Sequence, residues 1–190
     1  MMILASSSPR RRELLQQIGV HFECDVAAID ETPLTEEAAA DYVARLALAK
    51  ARAVADRHPQ AVVLGSDTTV VLDGQILGKP ADDAQACAML RALSGRQHQV
   101  LTAVAVISNG REQVQTVVTD VAFCHLSEAR IAAYVATGEA ADKAGAYGIQ
   151  GMGAVLVSGI HGSYSNVVGL PLAETAAMLE ACDVPIWNKD

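Results

Sequence analysis

The sequence predicts an α/β fold built on a mixed, largely antiparallel sheet flanked by helices. Two observations carry that prediction. Short β-branched apolar runs alternate along the 190 residues with segments whose apolar positions recur at helical spacing. The dipeptides Asp73-Gly74 and Asn109-Gly110 each separate two such runs. Two-residue turns of this composition join antiparallel neighbours, so the sheet cannot be purely parallel.

The elements follow in order. Residues 2–5 are a short apolar run that reads as a buried strand. A helix is expected over 9–18: Ser8 caps it, Pro9 takes its first position, and Leu14, Leu15 and Ile18 share a face. Gly19 closes it as the residue past the C-cap. Residues 22–27 form a second strand, and a long helix runs over 35–57. There Thr35 serves as cap, Glu36 and Glu37 suit the first turn, and Tyr42, Leu46 and Ala49 share a face.

Residues 61–65 form a strongly apolar strand ending in Ser66-Asp67-Thr68, and 69–72 continue as a strand into the Asp73-Gly74 turn. A helix over 82–93 ends near Gly95. Strands over 100–107 and 114–123 flank the Asn109-Gly110 turn. Ser127 caps a helix to about residue 137, 154–160 form a strand, and 172–182 the last helix. The Gly- and Lys-rich stretch 142–153 is the one long irregular segment, a kind that is often functional in compact domains. No internal repeat or linker divides the chain, so a single domain over 1–190 is expected.

Composition narrows the function. Hydrophobic residues make up 51% and charged residues 19%, enough apolar surface to build a core and argue against disorder. No stretch reaches the roughly 18 uncharged apolar residues of a membrane span, and no basic segment precedes an apolar leader. Cytoplasmic residence without a membrane partner is therefore expected. The formal net charge of −8 opposes a surface for nucleic-acid polymers. Cys24, Cys87, Cys124 and Cys182 stand far apart, and His21, His58, His98, His125 and His161 form no zinc-ligand spacing.

Against this acidic balance, "ILASSSPRRRELL" at 3–15 is locally basic. A helix start exposes unpaired N–H groups and about half a positive charge, which suits phosphate. Arginines in that first turn oppose the dipole at a cost of roughly 0.3–1 kcal/mol each, and a bound polyanion removes the conflict. A solvated basic helix start is the alternative.

Asp67, in "VLGSDTTVVL", is placed at a strand end for metal binding or base work, or as a turn aspartate satisfying local N–H groups. Lys79, in "DGQILGKPAD", sits in a segment one residue short of a P-loop, with Pro80 where Ser or Thr should stand. What remains is a lysine able to present its ammonium to phosphate. Lys50, in "LALAKARA", either does the same or snorkels along its helix. In "KAGAYGIQG" the glycines admit a flat ligand, and Gln150 offers the donor and acceptor that a nucleobase edge requires. Gly151-Met152-Gly153 lacks the rest of a dinucleotide fingerprint. Together these residues suggest a triphosphate site with an acidic pair for Mg²⁺.

The segments "LASSSPRRRELL", "IDETP", "RLALAKA", "VLGSDTTVVLDGQILGKP", "LSGRQHQVLTAVAV", "DKAGAYGIQG" and "GSYSNVVGLPL" together resemble the Maf family of nucleoside triphosphate pyrophosphatases. The resemblance implies an elongated α/β fold with two lobes around a central cleft, related to the inosine triphosphate pyrophosphatases. It implies cleavage between the α- and β-phosphates with Mg²⁺ or Mn²⁺, giving a nucleoside monophosphate and pyrophosphate in a house-cleaning role. Asp67 matches the proton acceptor, and Ser8, Arg11, Glu31, Lys50 and Lys79 fall on cleft positions. Glu31 and Asp67 would hold the metal, and Ser8 and Arg11 the phosphates. Arg10, Thr68 and Gln150 match the members that prefer dTTP and UTP, modified pyrimidine nucleotides included. A homodimer is the assembly considered. The family's connection with septum formation implies an alternative, a nucleotide-binding module in division arrest with little turnover.

Overall fold

Met2–Leu4 (β1) runs parallel to both Glu23–Cys24 (β2) and Val62–Leu72 (β3), with Ile3 opposite Glu23 on one side and Val63 on the other. A computed structural model describes residues 1–26 and 28–188. The other strands are Gln75–Leu77 (β4), Gln97–Ser108 (β5), Arg111–Phe123 (β6) and Val157–His161 (β7). They complete one sheet in the order β2-β1-β3-β5-β6-β7, with β4 paired to β3. β3 and β4 are antiparallel, Val71 opposite Ile76, and so are β6 and β7, with an irregularity between Ala122 and Phe123. The sheet is therefore mixed, as the turn dipeptides require. Asp73 and Gly74 have φ of 50° and 79°, and Asn109 and Gly110 of 50° and 74°. Left-handed geometry at both central positions matches the twist of a hairpin and explains those residue choices.

The helices are Pro9–Gln17 (α1), Ala39–Ala55 (α2), Asp83–Leu93 (α3), Glu128–Val135 (α4), Tyr164–Val168 (α5) and Leu172–Glu180 (α6). Among the described residues, none is long and apolar enough to cross a membrane. Two caps lie where the sequence places them, Ser8 and Ser127, and Asp82, expected as the first residue of its helix, is a third; each accepts the N–H three residues on. Gly19, at φ 69°, lets its N–H reach the Gln16 carbonyl and that of Val20 the Leu15 carbonyl, a left-handed helix end.

Four expectations are corrected. α2 begins at Ala39, not residue 35, and its N-cap Ala38 makes no side-chain cap bond. Glu37 is drawn instead onto Arg45, at 2.6 and 2.7 Å, and accepts the Leu34 N–H, which keeps the preceding residues out of the helix. β3 does not pause at 66–68 but runs unbroken to Leu72. The strand expected over 154–160 starts only at Val157, because Met152–Leu156 form a 3₁₀ turn whose first N–H groups are taken by Glu139. α5 was not expected; Ser163 Oγ accepts the Asn166 N–H and nucleates it. The strand expected over 22–27 is reduced to Glu23–Cys24, and residue 27 lies outside the described residues.

The chain forms two compact units. The first comprises Met1–Asp67, Thr102–Val117 and the C-terminal segment from Gly169; the second comprises Thr68–Leu101 and Val118–Val168. In the first unit, Ile3, Leu4, Leu15, Val43, Leu46 and Leu64 are fully buried. Each such side chain contributes roughly 1.5–3 kcal/mol by leaving water. The second unit gathers Leu90, Leu93, Val121, Phe123, Ile131 and Leu156. His98, Phe123 and Tyr147 meet there edge to face, with centroids 4.7–5.5 Å apart.

Candidate active site

The site begins with a glycine. A Cβ built on Gly65 would stand 2.2 Å from the Ala47 carbonyl oxygen, so α2 lies directly on β3 at this point. Residues 65 and 67 share a face of the strand, and residues 47, 50 and 51 share a face of the helix. The close approach therefore brings Lys50 to Asp67. Lys50 Nζ donates to Asp67 Oδ1 at 2.6 Å and stands 2.9 Å from Glu31 Oε1. The Lys50 and Asp67 side chains are 15% and 11% exposed while that of Glu31 is 52% exposed, so the two carboxylates differ in kind.

Asp67 is thus neither at a strand end nor in a turn. It sits inside β3 with its carboxylate on a lysine, which removes the turn-aspartate alternative. Burial pushes its carboxyl above the usual carboxylate value, Lys50 and then Arg11 pull it back, and the net displacement is upward. Lys50 likewise does not simply snorkel, since its ammonium is engaged by both acids.

Glu31 is delivered by the segment before α2. Tyr42 Oη donates to the Glu31 carbonyl at 3.0 Å, and Arg45 Nη2 donates to the Thr32 carbonyl at 3.2 Å. Asp30 accepts the Thr32 N–H at 2.9 Å. Glu37, held down to about 2 by the Arg45 guanidinium, keeps this staple ionised at neutral pH. Helix side chains thereby tie down an otherwise exposed loop.

Arg11, in the first turn of α1, is set by groups the sequence did not single out. Its Nε donates to the Gly169 carbonyl at 2.8 Å and its Nη1 to Ser6 Oγ at 3.2 Å. Ser6 Oγ also accepts the Ser8 N–H, and the buried Ser66 hydroxyl donates to the same Gly169 carbonyl at 3.3 Å. Ser8 Oγ is occupied as the helix cap, accepting the Arg11 N–H at 3.4 Å. Burial lowers the Arg11 pKa, while Asp67 opposes that shift. Ser6 and Ser66 lie within segments that the sequence did mark, but without a role of their own, because a buried serine bonded to a carbonyl some hundred residues away leaves no local signal. Arg10 is half-buried beside Arg11.

The structure thus brings Arg11, Ser8, Glu31, Lys50 and Asp67 together within the first unit. Thr68, Lys79 and Gln150 belong to the second. Thr68 is the next residue of β3 and half-buried; Lys79 and Gln150 are exposed. Among the described residues, no group of three or more His, Cys, Asp or Glu side chains converges as a metal cluster.

A family model described as "Maf-like protein" matches residues 1–182. A protein of Alcanivorax borkumensis named dTTP/UTP pyrophosphatase is 57% identical over 189 residues, covering 98% of each chain. Proteins of the same name from Symbiobacterium thermophilum and Myxococcus xanthus are 55% and 53% identical, covering 98% and 99% of this chain and 96% of each relative. Among solved structures, the Staphylococcus aureus Ham1 protein matches 64% of this chain and 71% of its own at 14% identity, with a TM-score of 0.45. That likeness is too low to bear on the fold. The family model spans nearly the whole chain and the relatives are more than half identical over almost all of it, so the match does not rest on single motifs: the chain belongs to the Maf family.

Proposed function

We propose that this protein hydrolyses dTTP and UTP between the α- and β-phosphates, releasing the nucleoside monophosphate and pyrophosphate. The name shared by relatives more than half identical over almost the whole chain supports that activity. The observation that carries the mechanism is the buried Asp67 carboxylate bonded to Lys50 at 2.6 Å, with Glu31 on the same ammonium.

Asp67 is the base. Burial raises its pKa and so makes it a better proton acceptor than an exposed aspartate, while Lys50 opposes that shift and favours the ionised form. It takes a proton from the attacking water as the bond from the α-phosphorus to the bridging oxygen breaks and pyrophosphate leaves. Arg11, fixed by Ser6 and Gly169 before substrate arrives, presents its guanidinium to phosphate oxygens at little further cost in ordering. The helix start at Ser8 and the ammonium groups of Lys50 and Lys79 add positive charge where the phosphates need it.

Glu31 and Asp67 are the residues that would hold a divalent cation, Mg²⁺ or Mn²⁺. The pair suits such an ion: both are hard oxygen donors, and they lie 2.9 and 2.6 Å from the same positive charge, Lys50 Nζ, which supports that reading. Water and substrate phosphates supply the remaining ligands of a typical Mg²⁺ site. Bound there, the ion supplies Lewis-acid charge against the phosphate oxygens. Arg10, Thr68 and Gln150 read the pyrimidine edge, Gln150 with one donor and one acceptor group.

Incubation with dTTP, UTP, CTP, GTP and 7-methyl-GTP, with Mg²⁺ and after chelation, tests this reading by chromatography of the products. UMP and pyrophosphate from UTP, lost on chelation, are expected. UDP and orthophosphate would overturn the cleavage site, and faster 7-methyl-GTP turnover the pyrimidine preference. Nucleotide binding with turnover below about 0.01 per second, far under the usual enzyme range, would indicate a regulatory module instead.

A further inference from the structure

The carboxylate of Glu139 has no part in the chemistry above, yet it organises the segment that carries Gln150. One of its oxygens accepts the Met152 N–H at 2.8 Å, and the other accepts the Gly153 N–H at 2.9 Å and the Tyr134 hydroxyl at 2.8 Å. The Tyr134 oxygen in turn accepts the Gly148 N–H at 3.1 Å. A single acid–phenol pair thus grips the chain on both sides of the tip formed by residues 149–151. The grip leaves no spare room: a Cβ on Gly151 would stand 2.2 Å from Glu139 Oε2, and one on Gly153 2.7 Å from the Tyr134 hydroxyl.

Both partners are fixed from below. Tyr134 is a buried residue of α4 in the core of the second unit, and Lys143 Nζ donates to the Glu139 carbonyl at 2.9 Å. Hydrogen bonds from Gly153, Met152 and Tyr134 outweigh burial and hold the Glu139 carboxyl below its usual value, so it accepts from all three at neutral pH. Gln150 itself is exposed at the tip. An exposed, flexible side chain discriminates between bases only if the backbone beneath it is held, because a misplaced amide pairs equally poorly with every base.

We infer that Glu139 and Tyr134 are positioning residues for nucleobase selection: they hold the 148–153 segment so that Gln150 meets the pyrimidine edge in one orientation. The inference rests on the proposed pyrimidine preference and on Gln150 as its reader. A glutamine at 139 would turn an amide N–H₂ toward backbone donors, and a phenylalanine at 134 keeps the buried ring but removes both hydroxyl bonds.

The test compares kcat/KM for dTTP and CTP in the wild type, E139Q, Y134F, Q150A and the double variant E139Q/Q150A. Melting is followed alongside, so that only folded protein is compared. The dTTP/CTP ratio should fall about tenfold in E139Q, Y134F and Q150A alike, the scale of one lost polar contact. The double variant should fall no further than Q150A. A merely structural role for Glu139 would lower both substrates together and leave the ratio unchanged, which overturns the inference. A ratio that falls in E139Q but falls again by the same factor in the double variant also overturns it, since Glu139 then acts without Gln150. An unchanged ratio in Q150A locates the failure in the assignment of Gln150, and a wild type without preference for dTTP locates it in the substrate reading. Should E139Q not fold, Y134F and its double variant with Q150A carry the same comparison.

Discussion

Lys50 Nζ and Asp67 Oδ1 lie 2.6 Å apart because Gly65, two residues before Asp67, lets the Ala47 carbonyl of α2 come against β3. The pair is sheltered from solvent, so its electrostatics are screened less than those of a surface ion pair. Four expected outcomes follow from this geometry and from the buried histidine of the second unit.

Lys50→Met removes the largest charge opposing the burial of Asp67. The Asp67 carboxyl, already above its usual value, then rises further. Because the ionised form is the base, the acidic limb of log kcat/KM against pH should move to higher pH, and activity at pH 7 should fall. A limb that stays in place would exclude Asp67 as the group being titrated.

Asp67→Asn should lower turnover by about 10²–10⁴-fold, the usual worth of a general base, while nucleotide binding measured by calorimetry persists. Stability should respond in the opposite sense. A carboxyl whose folded pKa is raised favours the folded state at pH below its unfolded value, and that contribution is lost as pH rises through the folded value. Asparagine has no such charge to bury. At pH 7 the variant should melt at or above the wild-type temperature, and a clear drop would show that the ion pair is a net stabiliser.

Gly65→Ala inserts a methyl group 2.2 Å from the Ala47 carbonyl oxygen and 2.8 Å from the Ala51 backbone nitrogen. Neither neighbour is the end of a flexible side chain, so the helix must move. The expected cost is about 1–3 kcal/mol in denaturant unfolding, with a fall in kcat beyond what the stability loss explains, because Lys50 retreats from Asp67. Wild-type kcat in a destabilised variant would separate the helix contact from the chemistry.

His98 is buried with its Nε2 2.8 Å from the Tyr147 hydroxyl, and burial lowers its pKa to about 4. Between about 4 and the ordinary 6.5 the unfolded chain binds the proton and the folded protein does not, so stability falls as pH falls through that window. The contribution is on the order of 3 kcal/mol. In the double variant His98→Phe/Tyr147→Phe, the slope of unfolding free energy against pH should flatten between these limits. An unchanged slope would assign the acid sensitivity to other groups.

Much of the architecture was legible locally. The helix at Pro9, the caps at Ser8 and Ser127, and both left-handed hairpin turns follow from residue types within a few positions of each other. The start of α2 and the 3₁₀ turn at Met152–Leu156 were not legible. In each case a distant or newly placed partner, Arg45 for Glu37 and Glu139 for the Met152 and Gly153 N–H groups, takes the atoms that the local pattern had assigned to a cap or a strand. The same holds for the anchor of Arg11, whose partners at residues 6 and 169 meet only on folding.

The sequence by itself determined the mixed sheet, the turn chemistry, the basic helix start and the family, because each is a property of short segments or of their order along the chain. Only the tertiary structure decided how differently the two acids are placed. Asp67 and Glu31 are both carboxylates in marked motifs, and although the family resemblance matches Asp67 to the proton acceptor, no local pattern shows how much water each one meets. Packing α2 against β3 at Gly65 shelters Asp67 beside Lys50, and burial there raises its carboxyl pKa, while Glu31 is left half open to water.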